Sequence, residues 1–350
     1  KNYWTTGTMF CYQLLVQAFP GELCISNGDL QPMPKAFIFP GQGSQYVGMG
    51  SDLYHAFENA RQRYACAADI LGYNLAEISF HGPKEELRKT QYTQPAVFVH
   101  SVIIDECLKL NGTRPHAVAG HSLGEFSALV SAEVLSFEDA LQIVKVRSHA
   151  MAHAGEINPG TMAAVIGANE EQLEVICDHS GVVVPANLNA PGQVIISGDI
   201  EAVDIALATA RELGIHRTIP LNVSGAFHSP LMKFAREALS NAINSLNFSN
   251  AKVPIYQNIN ASPSQDSHDI KKNLISQLEN PVQWYKTILK MIKKIDNDFI
   301  ECGPGNVLAG INRRISNKIN PITKINRIPF ILIKTRRMIG INKSPYLSTI

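Results

Sequence analysis

The chain has 350 residues, enough for about two domains or one large domain carrying an insertion. Hydrophobic residues make up 45% and charged residues 17%, without low-complexity tracts, which excludes a disordered or fibrous chain. Lys and Arg number 31 against 30 Asp and Glu, so the net charge of +1 supplies no chain-wide field for nucleic acid or an anionic membrane.

The two ends look foreign to the middle. Residues 1–32 show neither helical nor strand periodicity, and Met33-Pro34-Lys35 is followed at once by the buried-strand pattern Ala36-Phe37-Ile38-Phe39, so Met33 reads as a start residue. The stretch Met9 to Phe19 is interrupted by Gln13 and Gln17 and is too short to cross a bilayer, so no membrane span is expected. Residues 319–350 carry six basic residues and no acidic one, which reads as a basic extension outside the fold, disordered or added. Without both ends, 24 basic residues face 28 acidic ones, so the middle carries a charge of about −4. Six cysteines (Cys11, Cys24, Cys66, Cys107, Cys177, Cys302) are scattered without a C-x-x-C pair, which disfavours a disulfide framework or a zinc knuckle and fits a reducing cytosol.

Between residues 33 and 318, short apolar strands alternate with helical stretches. A strand at Phe37 to Phe39 precedes one helix over Asp52 to Leu71, a helix opens at Thr93-Gln94-Pro95, and the strand His116 to Ala119 leads into a helix from Gly124. That alternation predicts a parallel sheet flanked by helices. From about 160 to 223 the rhythm becomes strand, helix, strand, strand, helix, strand, the order of a ferredoxin-like unit. The first rhythm then resumes to the strand Asp298 to Glu301, so the fold expected is an α/β one. A small subdomain is inserted into a larger parallel-sheet subdomain, with the ligand site in the cleft between them.

Gly120-His121-Ser122-Leu123-Gly124 lies between a predicted strand and a predicted helix, the setting that turns a G-x-S-x-G match into a nucleophile elbow. Ser122 is the candidate nucleophile, with the amides of the new helix aimed at a developing oxyanion. Its neighbour His121 reads as a packed side chain, since adjacent residues on such a turn diverge. A serine nucleophile needs a base, and His228, after one predicted strand and just before a helix, stands where sites gather in open α/β sheets. The glycine-rich turn Pro40-Gly41-Gln42-Gly43 can offer a backbone amide to an oxyanion, or can serve only as a tight connection. Arg147 is on a predicted helix one turn before Met151, where it can hold a substrate carboxylate or form a surface ion pair.

Together these residues resemble the malonyl-CoA:acyl carrier protein transacylases of bacterial fatty-acid synthesis, whose acyltransferase fold also occurs in polyketide synthases. The resemblance covers about Lys35 to Ser316, and its landmarks stand in the family's order. They are Phe39 to Gln45, Thr93 to Ala96, Gly120 to Glu125, Arg147, Gly225 to Ser229, Asn280 to Trp284 and Gly303-Pro304-Gly305. The resemblance implies an α/β-hydrolase-like large subdomain and a Ser122 and His228 dyad, the histidine oriented by a main-chain carbonyl, that of Gln283. It implies an oxyanion hole of the Gln42 and Leu123 amides, and Arg147 pairing with the free carboxylate of malonyl. Gln94 and Met151 are implied near the acyl pocket, where packing alone explains them equally well. Phe227 looks like the bulky ring of a malonyl-selecting member, crowding the extra methyl of methylmalonyl. The expected partners are malonyl-CoA and acyl carrier protein, with no cofactor or metal, and a cytoplasmic monomer is expected. Asn306 departs from the lysine often found there. A polyketide acyltransferase, a serine hydrolase and a silent carrier-binding module remain the competing readings.

Overall fold

The computed structural model describes residues 35–295, 298–317 and 319–322. Strand β1 (Ala36–Phe39) leads through four helices, α1 (Ser51–Ala56), α2 (Glu58–Leu71), α3 (Leu75–His81) and α4 (Lys84–Leu87), to the long helix α5 (Thr90–Leu110). Strand β2 (Ala117–Gly120), α6 (Gly124–Ser131) and α7 (Phe137–Ile157) follow. The next stretch runs β3 (Gly160–Ile166), α8 (Glu170–Cys177), β4 (Val183–Ala190), β5 (Gln193–Asp199), α9 (Ile200–Glu212) and β6 (Arg217–Pro220). The remainder is α10 (Lys233–Asn244), β7 (Ile255–Tyr256), β8 (Pro263–Ser264), α11 (Ser267–Ser276), α12 (Trp284–Ile292), β9 (Asp298–Glu301), α13 (Val307–Ile315) and β10 (Asn320–Ile322).

The larger sheet has the order β10-β9-β1-β2-β7-β8, parallel except for β8. Its central strands are buried on both faces, which is why they read as unbroken apolar runs. Phe37, Phe39 and Val118 enter the main core with residues of α5, α6 and α7, while Ala36, Ile38, Ala117 and Ala119 enter a second core with Trp284, Ile288 and Leu308. The smaller sheet is antiparallel, in the order β4-β5-β3-β6. One face (Ala163, Val165, Val194, Ile196) packs under α8 and α9, whereas Met162, Ala164 and Ile195 on the other face belong to the main core. The smaller sheet is also tied by backbone to the segment before α12, because Val282 N–H donates to Ala186 O at 2.8 Å and Leu188 N–H donates to Val282 O at 2.9 Å.

Three expectations about elements need correction. The single helix expected over 52–71 breaks at Phe57, whose backbone is extended (φ −127°, ψ 134°) and whose side chain packs on the main core. The helix expected to open at Thr93 opens at Thr90, so Pro95 lies inside it, and the Gln91 carbonyl four residues back, which Pro95 cannot serve, accepts from Tyr73 Oη at 3.2 Å. The fold does not end at 318: Ile319 is buried, and β10 pairs with β9 in parallel. The segment 1–32 and the rest of the basic tail lie outside the described residues.

Candidate active site

Strand β2 stops at Gly120 and α6 starts at Gly124, leaving three residues for the reversal. Ser122 sits at its apex with φ +51°, a left-handed conformation that projects its side chain clear of the sheet edge. The turn closes only because its flanking residues lack side chains: a Cβ on Gly124 would lie 2.0 Å from Phe39 O, and one on Gly120 would lie 1.9 Å from Gly124 C. Asn258, buried just beyond β7, clamps the elbow from the next strand. Its Oδ1 accepts from Ser122 N–H at 2.7 Å and its Nδ2 donates to Gly120 O at 2.6 Å.

Ser122 Oγ lies 2.7 Å from His228 Nε2. On the far side of the ring, Nδ1 faces two carbonyls, Gln277 O at 3.0 Å and Asn280 O at 3.2 Å. Carbonyls only accept, so Nδ1 carries the proton and Nε2 presents a lone pair to the serine hydroxyl. The carbonyl expected in this place was that of Gln283, and the structure corrects it. Gln283 stands past the bend at Asn280, its N–H donating to Asn258 O at 3.0 Å and its Nε2 to Ile259 O at 2.6 Å. Burial and the charge of Arg147 push the His228 pKa down to about 3, against the two carbonyls, so the ring is neutral and ready to accept a proton.

Arg147 and Met151 project from one face of α7, a turn apart. Arg147 is 1% exposed, so the surface ion pair that its sequence position alone favours does not form. Its Nη1 donates to Gln94 Oε1 at 2.7 Å, and its Nη2 donates to Ser122 Oγ at 3.0 Å and Gln277 Oε1 at 3.2 Å. Nε is buried without a partner. Burial lowers the Arg147 pKa to about 10, with Glu125 opposing the shift, so the guanidinium remains a cation at neutral pH. Gln94 also reaches Met151, its Nε2 lying 3.4 Å from Sδ. The Gln42 loop abuts the elbow, because Gly41 leaves no room for a Cβ against His121 O. The Gln42 side chain donates to Thr90 Oγ1 at 3.3 Å. Leu123 is buried at the head of α6, and Phe227 is buried in the main core beside Gly225. His121 turns away from the dyad to Asn189 Oδ1, 2.8 Å away in the smaller sheet.

Sequence reasoning assigned no role to three buried residues that tie this site together. Glu125 accepts from Asn258 N–H and Gln277 Nε2, while Gln277 Nε2 also donates to Ser122 O at 3.0 Å. Burial pushes the Glu125 carboxyl up to about 8, with those N–H donors and Arg147 pulling it down. Asn258 had one legible signal, its place at the end of a predicted strand on the same sheet edge as Ser122. Among the described residues no cluster of three or more His, Cys, Asp and Glu could hold a metal, and no helix is long and apolar enough to cross a membrane.

Residues 36–331 match the acyl transferase domain family. A malonyl CoA-acyl carrier protein transacylase of Bacillus subtilis is 41% identical over 291 residues, 82% of this chain and 92% of that protein. Among solved structures, a malonyl-CoA:acyl carrier protein transacylase from Xanthomonas oryzae superposes with a TM-score of 0.80 at 40% identity, covering 83% of this chain and 94% of that one. A malonyl-transacylase in complex with a type II polyketide acyl carrier protein gives 0.81 at 37% identity, over 85% of this chain and 99% of that one. The chain belongs to the acyl transferase family.

Proposed function

We propose that this acyltransferase moves a malonyl group from malonyl-CoA to the phosphopantetheine thiol of acyl carrier protein through a malonyl ester on Ser122, supplying fatty-acid elongation. One observation carries the reading: the Ser122 oxygen touches both a neutral imidazole nitrogen, at 2.7 Å, and a buried guanidinium, at 3.0 Å. A base so placed activates a nucleophile, and a buried cation so placed favours an acyl group with its own carboxylate.

In the first half-reaction Ser122 Oγ attacks the thioester carbonyl while its proton passes to His228 Nε2. The tetrahedral oxyanion rests on the Gln42 and Leu123 amides, and the imidazolium returns its proton to the departing coenzyme A thiolate. The carrier thiol then attacks the Ser122 ester, giving its proton to His228, which passes it to the serine oxygen as the new thioester forms. Arg147 holds the malonyl carboxylate, with Gln94 and Met151 beside it. A uncharged acetyl group would leave that guanidinium unpaired, which costs more than a misplaced methyl. Phe227 limits the room for such a methyl in methylmalonyl. The steps balance with two thioesters and the chain's own groups, so the reading includes no metal or cofactor, and a monomer working in the cytosol is part of it.

Residues 160–223 fit a ferredoxin-like subdomain inserted into an α/β-hydrolase-like one, since the strand order β4-β5-β3-β6 with helices after β3 and β5 suits that arrangement. The relative seen with a polyketide carrier protein favours one alternative acceptor, the carrier of a polyketide pathway.

Intact mass after separate mixing with malonyl-CoA, acetyl-CoA and methylmalonyl-CoA tests the reading. The expected result is a malonyl adduct that disappears in Ser122→Ala, with far less of the other two. Steady release of coenzyme A without an adduct would indicate a hydrolase instead.

A further inference from the structure

We propose that Glu125 is a positioning residue that fixes the side-chain amide of Gln277 and, through it, aims Arg147 at the carboxylate of the acyl group; this rests on the reading of Ser122, His228 and Arg147 as the acyl site. Glu125 is the second residue of α6, buried beneath the elbow. One of its oxygens accepts from Asn258 N–H and the other from Gln277 Nε2.

A glutamine amide fits the same space either way round, so its neighbours decide which end faces where. The Glu125 oxygen accepts from Gln277 Nε2, and Ser122 O, a carbonyl that can only accept, takes a second bond from the same atom at 3.0 Å, so the NH2 end of Gln277 is the one turned to them. The amide oxygen is left facing Arg147 Nη2 at 3.2 Å. With Gln94 Oε1 holding Nη1, the guanidinium is pinned at both ends, and buried Nε is the donor left without a partner. The same Gln277 supplies a carbonyl to His228 Nδ1, so one residue anchored by Glu125 serves the cation through its side chain and the base through its backbone. Glu125 touches neither the serine oxygen nor the imidazole. It stands one residue removed from where the acid of a three-membered triad would stand.

Glu125→Gln leaves one acceptor for two N–H donors, so its NH2 must face either Asn258 N–H, held by the backbone, or Gln277 Nε2, on a side chain that can turn. To relieve that clash Gln277 turns over and presents its NH2 to Arg147. The readout is the ratio of kcat/KM for malonyl-CoA to that for acetyl-CoA, taken with intact-mass detection of acyl-Ser122. The expected ratio falls about tenfold, because a buried charge loses an acceptor, while the acetyl value stays within about threefold of the parent. Gln277→Met keeps the backbone carbonyl for His228 and should lower the ratio alike, which covers the case of Glu125→Gln failing to fold. The double variant Glu125→Gln with Gln277→Glu returns an acceptor to Arg147 and should recover most of the ratio. Equal losses on both substrates would mark a merely structural role and overturn the proposal, as would an unchanged ratio. A parent that takes malonyl on Ser122 while its variants keep the ratio overturns this proposal alone; a parent with no malonyl on Ser122 overturns the site reading beneath it as well.

Discussion

At the scale of single residues, His228 is unusual in being a histidine that burial and a neighbouring cation keep unprotonated far below its ordinary range, its pKa pushed down to about 3. Since kcat/KM reports the free enzyme's ionisations, its pH profile should show no acid limb near 6.5 and stay flat to about pH 5. The same group works against the fold. The unfolded ring takes a proton below 6.5 while the folded ring does not, so stability falls as pH drops from 6.5 towards 3. His100, buried and held at about 4, adds in the same direction. Activity should therefore vanish at acid pH together with the circular dichroism signal, and a limb near 6.5 in a folded protein would contradict the neutral-base assignment. Ser122 and His228 were legible because each sits in a local frame, strand to turn to helix, that short-range pattern reveals. Gln277 and Glu125 were not. Gln277 lies in a single 3-10 turn without periodicity, and its partners come from α6, α7 and His228 in the loop between β6 and α10, far away in the chain.

At the scale of elements, α7 does two jobs along one helix. It brings Arg147 to Ser122 and Gln94, and two turns later Gly155 lets the loop before His228 lie against it, since a Cβ there would come within 2.1 Å of Ser224 O. Gly155→Ala should push that loop away and lower kcat/KM about 100-fold, the cost of misplacing a base by an ångström or so, with little change in far-UV circular dichroism. Wild-type kinetics in that variant would mean the loop has slack that the geometry does not suggest. Most elements were legible because the central strands β1 and β2 are unbroken apolar runs and helices such as α10, α12 and α13 are amphipathic. The errors fell where a distant partner overrides a local rule. Pro95 sits inside α5 because Tyr73 satisfies the carbonyl it strands, and β10 joins the sheet because β9 offers an open edge to a segment that looked only basic.

At the scale of the whole molecule, the smaller sheet is not an independent unit, because Ile195, Met162 and Ala164 sit in the main core while the opposite face has its own. Ile195→Ala should cost about 2 to 5 kcal/mol and leave one urea transition, with tryptophan fluorescence and far-UV circular dichroism coincident. Two separate transitions would refute the shared core. The position of β1 has a further consequence, one of time. It pairs with β2 on one side and on the other with β9, which is made only after the more than two hundred residues between them (Phe39 to Asp298). At roughly 5 to 20 residues per second, the open flank of β1 waits for tens of seconds on the ribosome, and Ser122 waits for a histidine 106 residues behind it. One edge of β1 must stay unpaired through that interval, exposed to any other nascent strand, so the yield of active enzyme in a cell should depend on how well that edge is shielded while the remainder is translated.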